Sequence, residues 1–143
     1  DIIADASTAE FLECKQGQAW LHVEGQRFME GDTRAIALLE VYIARAYRGI
    51  AEDLASNELP IYTLIEQRYG VHTVEVRQQI SAIAIEGESA EKLGVAPGTA
   101  GLRVVRHYVS GNGDVFEVAV SLHLGDRFSY SSTLRREHHS TGG

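Results

Sequence analysis

AEFLECKQGQAWLHV, from Ala9 to Val23, and AEKLGVAPGTAGLRV, from Ala90 to Val104, align at an offset of 81 residues with seven identities in fifteen positions. The identities are Ala9/Ala90, Glu10/Glu91, Leu12/Leu93, Gly17/Gly98, Ala19/Ala100, Leu21/Leu102 and Val23/Val104. Self-similarity of this kind marks a duplicated unit. Reading outward from either copy gives a short helix, a Gly-containing turn, a strand, a loop and a returning strand. In the first copy, Ser7 and Glu10 have capping-box spacing, Gly17 marks the turn, and a strand follows from about Ala19 to Phe28. Glu30-Gly31-Asp32 then turns the chain into a strand from Ile36 to Ile43. The second copy runs from Ser89 through Gly98 into a strand from Leu102 to Val109. A Gly111-Asn112-Gly113-Asp114 turn and a return from Val115 to His123 complete it. Two hairpins of one design predict neighbours in a single antiparallel sheet.

Between the copies, Tyr47, Ile50 and Leu54 fall on one helical face, and the break from Asn57 to Pro60 ends that segment. A second helix carries Pro60 near its start, apolar Ile61, Leu64, Ile65 and Tyr69, and Gly70 as its stop. The β-rich run from about His72 to Ile85 reads as a central strand. The expected class is therefore α+β, a mainly antiparallel sheet with covering helices and an internal duplication.

A chain of 143 residues with 44% apolar and 23% charged residues fits one globular domain, residues 1–136, followed by a disordered tail over 137–143. No apolar run approaches the roughly 20 residues of a membrane span, so no membrane association is expected. One cysteine, Cys14, cannot form an internal disulfide, and no signal peptide is visible; both point to the cytoplasm. The net charge of −7 and the dispersal of Lys and Arg argue against direct nucleic-acid contact, which needs cations gathered on one face. Asp1 in place of an initiating Met suggests a fragment whose upstream portion lies elsewhere.

No nucleophile elbow, phosphate loop, HExxH or cysteine cluster is present, so no catalytic residue or cofactor is assigned. The six histidines, His22, His72, His107, His123, His138 and His139, show no recognised zinc spacing, and no metal is expected. Strand alternation says more, since residues i and i+2 share a face. Ala19, Leu21, Val23, Gly25 and Arg27 share one. An arginine closing an apolar face needs water at the strand end, a protein carboxylate or an anionic ligand. On the returning strand Ile36, Leu38, Glu40 and Tyr42 share a face, and a Glu40–Arg27 pair would account for both charges. The last strand divides into Phe116, Val118, Val120 and Leu122 against Glu117, Ala119, Ser121 and His123. One of these sides is core; the other is either wet surface or the polar wall of a pocket.

The patterns AxxLxCxxGxxWLxVEGxR, EVYI, LxEQRYGV, LRVVRxY and FEVAVSLHLGDRFSY, in this order between about residue 3 and Leu134, resemble the UTRA domain. That domain is the effector-binding half of GntR-type transcription regulators of the HutC subfamily. The resemblance implies a chorismate lyase-like fold and an upstream winged helix-turn-helix absent from this chain. Carried over by position, it implies a ligand pocket at Arg27, Glu40, Glu117 and His123, with Tyr42 and Ser121 as neighbours and Gln78 on the strand from His72. Family members that bind phosphosugars show Arg-x-Arg where this chain has Gly25-Gln26-Arg27, which argues against a phosphosugar effector. Arg106, the counterpart of Gly25 in the second copy, is placed to supply charge, while Arg27 corresponds to Tyr108. The spacing from Glu40 to Tyr42 is one residue shorter than the family pattern.

The resemblance thus implies a homodimeric sensor of a small polar or anionic metabolite that reaches operator DNA only through the missing domain. Two other readings compete: a chorismate lyase-like enzyme acting on a small anionic substrate, and a dimerisation module with no pocket.

Overall fold

The computed structural model describes residues 1–29, 31, 34–56 and 59–136. They form one antiparallel sheet of β1 (Ile2–Ile3), β2 (Ala19–Phe28), β3 (Ala35–Ala44), β4 (Thr73–Ile85), β5 (Thr99–Ser110) and β6 (Val115–Leu124), in the order β1-β2-β3-β6-β5-β4. Helices α1 (Ala6–Leu12), α2 (Ile61–Tyr69) and α3 (Gly87–Leu93), with a 3₁₀ helix over Arg45–Asp53, complete the α+β architecture.

The strand order is a palindrome about the β3/β6 seam, and the duplication explains it. Each copy contributes a hairpin, and the hairpins meet through their returning strands, with Val41 opposite Ala119. Local hydrogen bonds repeat at the same 81-residue offset. The N–H of Gly17 donates to Ala4 O at 2.8 Å and that of Gly98 to Ile85 O at 2.8 Å; Cys14 and Val95 donate to Ala9 O and Ala90 O, both at 3.0 Å. Gly17 and Gly98 take φ of 91° and 90°, a region that other residues enter only with strain, so both copies need glycine at this turn.

The sheet buries both faces. On one, α1 packs Ala9 and Leu12 over Trp20, Val105, Val118 and Val120, while α3 packs Ala90 and Leu93 over Ala35, Ile85 and Leu124. On the other, the 3₁₀ helix and α2 press Ile50, Leu64 and Ile65 onto Ile43, Tyr108 and Phe116. Helix α2 starts at Pro60 and stops at Gly70, as the sequence indicates.

Four sequence expectations change. The run ending at Ile85 is the edge strand β4, exposed from Val74 to Val76 and on to Gln79, because the two hairpins occupy the centre by pairing with each other. The α1 cap is Asp5: its Oδ1 accepts from the Thr8 N–H at 2.8 Å and from the Ser7 hydroxyl at 3.1 Å, so Ser7 supports the cap without forming it. The segment holding Tyr47 and Ile50 winds as a 3₁₀ helix. A bulge in β6 sets Tyr108 opposite Glu117 and Val109 opposite Val115, leaving Phe116 unpaired. Phe116 therefore turns to the α2 core, away from Val115 and Val118. The Glu30-Gly31-Asp32 turn, the Asn57 end of the interhelical break and the tail over 137–143 fall wholly or partly outside the described residues.

Candidate functional site

Strand register decides which predicted site residues meet. On the α2 face, one rung runs from Arg27 on β2 to Ala37 on β3, His123 on β6 and Leu102 on β5. The rung two positions along joins Leu39, Ser121 and Val104, and the next joins Val41, Ala119, Arg106 and Gln78. A cleft of about 260 Å³ lies over these rungs, lined by Arg27, Leu39, Arg106, Ser121, His123 and Phe128 among others. Arg27, Arg106, Ser121 and His123, taken from three strands, thus converge on one cavity.

The lining groups are held in place. Arg106 Nε donates to Gln78 Oε1 at 2.7 Å, so Gln78 orients the guanidinium. His123 Nε2 lies 2.9 Å from Ser121 Oγ, and its ring stacks on Phe128 at 4.1 Å and 17°. Burial, then the Arg27 and Arg106 charges, hold the His123 pKa below its ordinary value, which favours the neutral ring. Phe128, part of the quoted GDRF segment, was not assigned to the pocket by sequence. The backbone leaves β6 just before it, so strand alternation carries no information there.

Glu117 lies one rung beyond Arg106, facing Tyr108 across the strands. It is 3% exposed, burial pushes its carboxyl up to about 8, and Oε1 has no hydrogen-bond partner among the described residues. Tyr62 of α2 stacks on Tyr108 at 4.9 Å, which closes this end under the helix. A buried carboxylic acid retaining its proton can donate as well as accept.

Glu40 also borders this cleft, but its side chain and that of Tyr42 are turned to the other face of the sheet. Glu24 is opposite Glu40, whereas Arg27 is opposite Ala37, so the Glu40 side chain belongs to the α1/α3 face and pairs with His22 in place of Arg27. Its Oε1 is 3.2 Å from His22 Nε2, and His22 stacks on Tyr42 at 4.4 Å and 10°. The one-residue difference in the Glu40–Tyr42 spacing is the sequence signal for this, since a shift of one reverses the face. A larger cleft of about 620 Å³ opens on this side, lined by Glu24, Glu40, Glu88, Lys92 and Arg103 among others. His22, Glu24 and Glu40 have ligand atoms within 4.8 Å of one another. A search for zinc spacings along the chain misses this group because two adjacent strands assemble it.

The family model of the UTRA domain matches residues 1–129. The chain belongs to the UTRA domain family. This UTRA domain is 30% identical over 114 residues to the HTH-type transcriptional regulator Rv0792c of Mycobacterium tuberculosis, covering 78% of the chain and 42% of that protein. The chain therefore spans less than half the length of this curated relative. Among solved structures, it resembles the ligand-binding domain of a protein named as a GntR-family transcriptional regulator from Bordetella bronchiseptica. The TM-score is 0.77 at 28% identity, covering 94% of this chain and 84% of that one. The effector domain of PhnF from Mycobacterium smegmatis shares the fold, with a TM-score of 0.79 at 21% identity over 94% of this chain and 82% of that one. UTRA domains are the effector-binding domains of GntR-family transcription regulators, and the relatives are named for regulation, a non-enzymatic role. No helix among the described residues is long and apolar enough to cross a membrane.

Proposed function

We propose that this domain is the sensing unit of a cytoplasmic regulator and that its α2-face cleft binds a small anionic metabolite. The observation that carries this reading is the convergence of Arg27 and Arg106 on Ser121 and His123. Two guanidinium groups with no carboxylate partner among the described residues form a ready anion clamp. Arg106, from the second copy, supplies the cation that Gly25 withholds in the first. Neutral His123 and Ser121 provide oriented donors and acceptors, while Glu117, buried one rung beyond Arg106, is not among the residues lining the cleft. Gln78 acts as a positioning residue through Arg106. The Glu40 carboxylate and Tyr42 are turned to the opposite face and take no part in this clamp.

The role of the site is to bind and release. Ligand binding shifts the population between arrangements of a homodimer, and so the spacing of two winged helix-turn-helix heads that precede this domain, residues 1–136, in the whole protein. Operator DNA is contacted by those heads alone, consistent with the acidic charge of this chain. The dimer is isologous and uses the open edge of β4, where Val74 and Val76 are 64% and 46% exposed.

Thermal-shift screening with phosphate, sugar phosphates and small carboxylates, followed by calorimetry on Arg27→Ala and Arg106→Ala, tests the proposal. Each variant should weaken an anionic hit, and mass spectrometry should recover the ligand unaltered. Unchanged affinity in both variants rules out this pocket, and turnover rules out the sensor.

A further inference from the structure

The α1/α3 face of β2 and β3 carries an electrostatic arrangement that the effector cleft does not use. Glu24 and Glu40 are direct cross-strand partners, so two carboxylates stand side by side on one face, an arrangement that destabilises a sheet unless a cation intervenes. Among the described residues, neither forms an ion pair with Lys or Arg. The nearby cations are engaged elsewhere: Lys92 Nζ is 3.4 Å from Glu88 Oε1, and the Arg103 guanidinium lies 5.6 Å from the centre of the Phe11 ring. The His22 imidazole is turned toward them, with Nε2 at 3.2 Å from Glu40 Oε1.

From this geometry we propose that His22, Glu24 and Glu40 form a binding site for a divalent transition-metal ion of the zinc class, on the sheet face opposite the effector cleft. Zinc bonds to imidazole nitrogen and carboxylate oxygen are about 2.0–2.2 Å, which makes the edge of a tetrahedral site roughly 3.3 Å. The His22–Glu40 separation already matches such an edge. All three donors lie within 4.8 Å, and Glu24 is exposed, so rotation of its side chain alone closes the remainder. Stacking on Tyr42 fixes the imidazole plane before any ion arrives. One nitrogen with two carboxylates suits zinc, cobalt or nickel, whereas magnesium and calcium favour all-oxygen shells. Three protein donors leave a coordination position open. Glu24 and Glu40 also line the 620 Å³ cleft, so that position faces a cavity able to hold a further ligand.

The inference stands independently of the effector proposal, since its donor side chains lie on the sheet face opposite Arg27 and Arg106. Its test is calorimetry and thermal unfolding with zinc, cobalt and magnesium ions, on the chain with His138 and His139 replaced by Ala so that the tail contributes no imidazole. Zinc should bind one to one and raise Tm by about 5–10 °C at roughly a hundred times Kd. Cobalt should give the visible absorption of a site with nitrogen and oxygen ligands. His22→Ala, Glu24→Gln and Glu40→Gln should each weaken zinc by about tenfold or more. The two glutamine variants should unfold, without metal, no earlier than the parent, because each removes a like-charge contact; they therefore decide the matter even if His22→Ala folds poorly. Absence of zinc binding, an equal response to magnesium, or zinc affinity unchanged in the Glu24→Gln/Glu40→Gln double variant would each overturn the proposal.

Discussion

Glu117 on β6 stands directly opposite Tyr108 on β5, and the carboxyl is buried without a partner for Oε1 among the described residues. Burial raises its pKa from 4.5 to about 8, so between these values the folded state holds a proton that the unfolded chain has released. Stability from this group is complete below pH 4.5 and is lost as pH rises through about 8. The loss should be on the order of a few kcal/mol. Urea unfolding of wild type from pH 5 to 9 should show this decline, and Glu117→Gln should flatten it and be the more stable protein at pH 9. A parallel decline in the variant would assign the pH dependence elsewhere.

For Arg27 and Arg106 the discriminating substitution is lysine. Arg27→Ala and Arg106→Ala should each cost an anionic ligand about 1.5–3 kcal/mol, the scale of a charged hydrogen bond. Lysine should recover only part of it, because an ammonium cannot offer the planar two-donor fork. Gln78→Leu should weaken binding less than Arg106→Ala, since it removes only the bond to Nε. Calorimetry on the five variants checks the order; full recovery by lysine would indicate a simple charge effect.

Gly101 occupies the position that Trp20 takes in the first copy, and a Cβ there would stand 2.7 Å from Ile85 Cδ1 and 2.9 Å from His123 O. Gly101→Ala should destabilise the domain by about 1–3 kcal/mol. Ile85→Val, added to it, should recover only part, because the backbone oxygen remains in the way. Denaturant midpoints of the single and double variants measure this.

Replacing Val74 and Val76 on the β4 edge with lysine should leave the monomer's stability within about 0.5 kcal/mol, as both side chains are exposed. The same change should shift the dimer toward monomer. Light scattering across a concentration series reads the outcome, and an unaffected dimer would move its interface away from β4.

Much of this site was legible in the strands themselves. Alternation placed Glu117, Ser121 and His123 on one face and singled out Arg27 at the end of an apolar one, and the resemblance joined them in one pocket. Both worked because an unbroken strand reports its side-chain directions two residues at a time. Phe116 was misplaced because a bulge interrupts that period, and Glu40 because its face depends on pairing with β2. The role of Gln78 emerged only from its contact with Arg106.

The sequence by itself determined the duplicated unit, the two hairpins and the α+β class, since each follows from local patterns: turn glycines, alternation and the repeated motif. Tertiary structure alone decided that the hairpins join through β3 and β6, that β4 lies at the edge, and which charges share a cavity. The physical reason is register. A strand's faces are written in its own residues, but which residues of another strand stand beside them is set by hydrogen-bonded pairing over long sequence separations. The two arginines of the cleft are 79 positions apart in the chain and meet only after the sheet has formed.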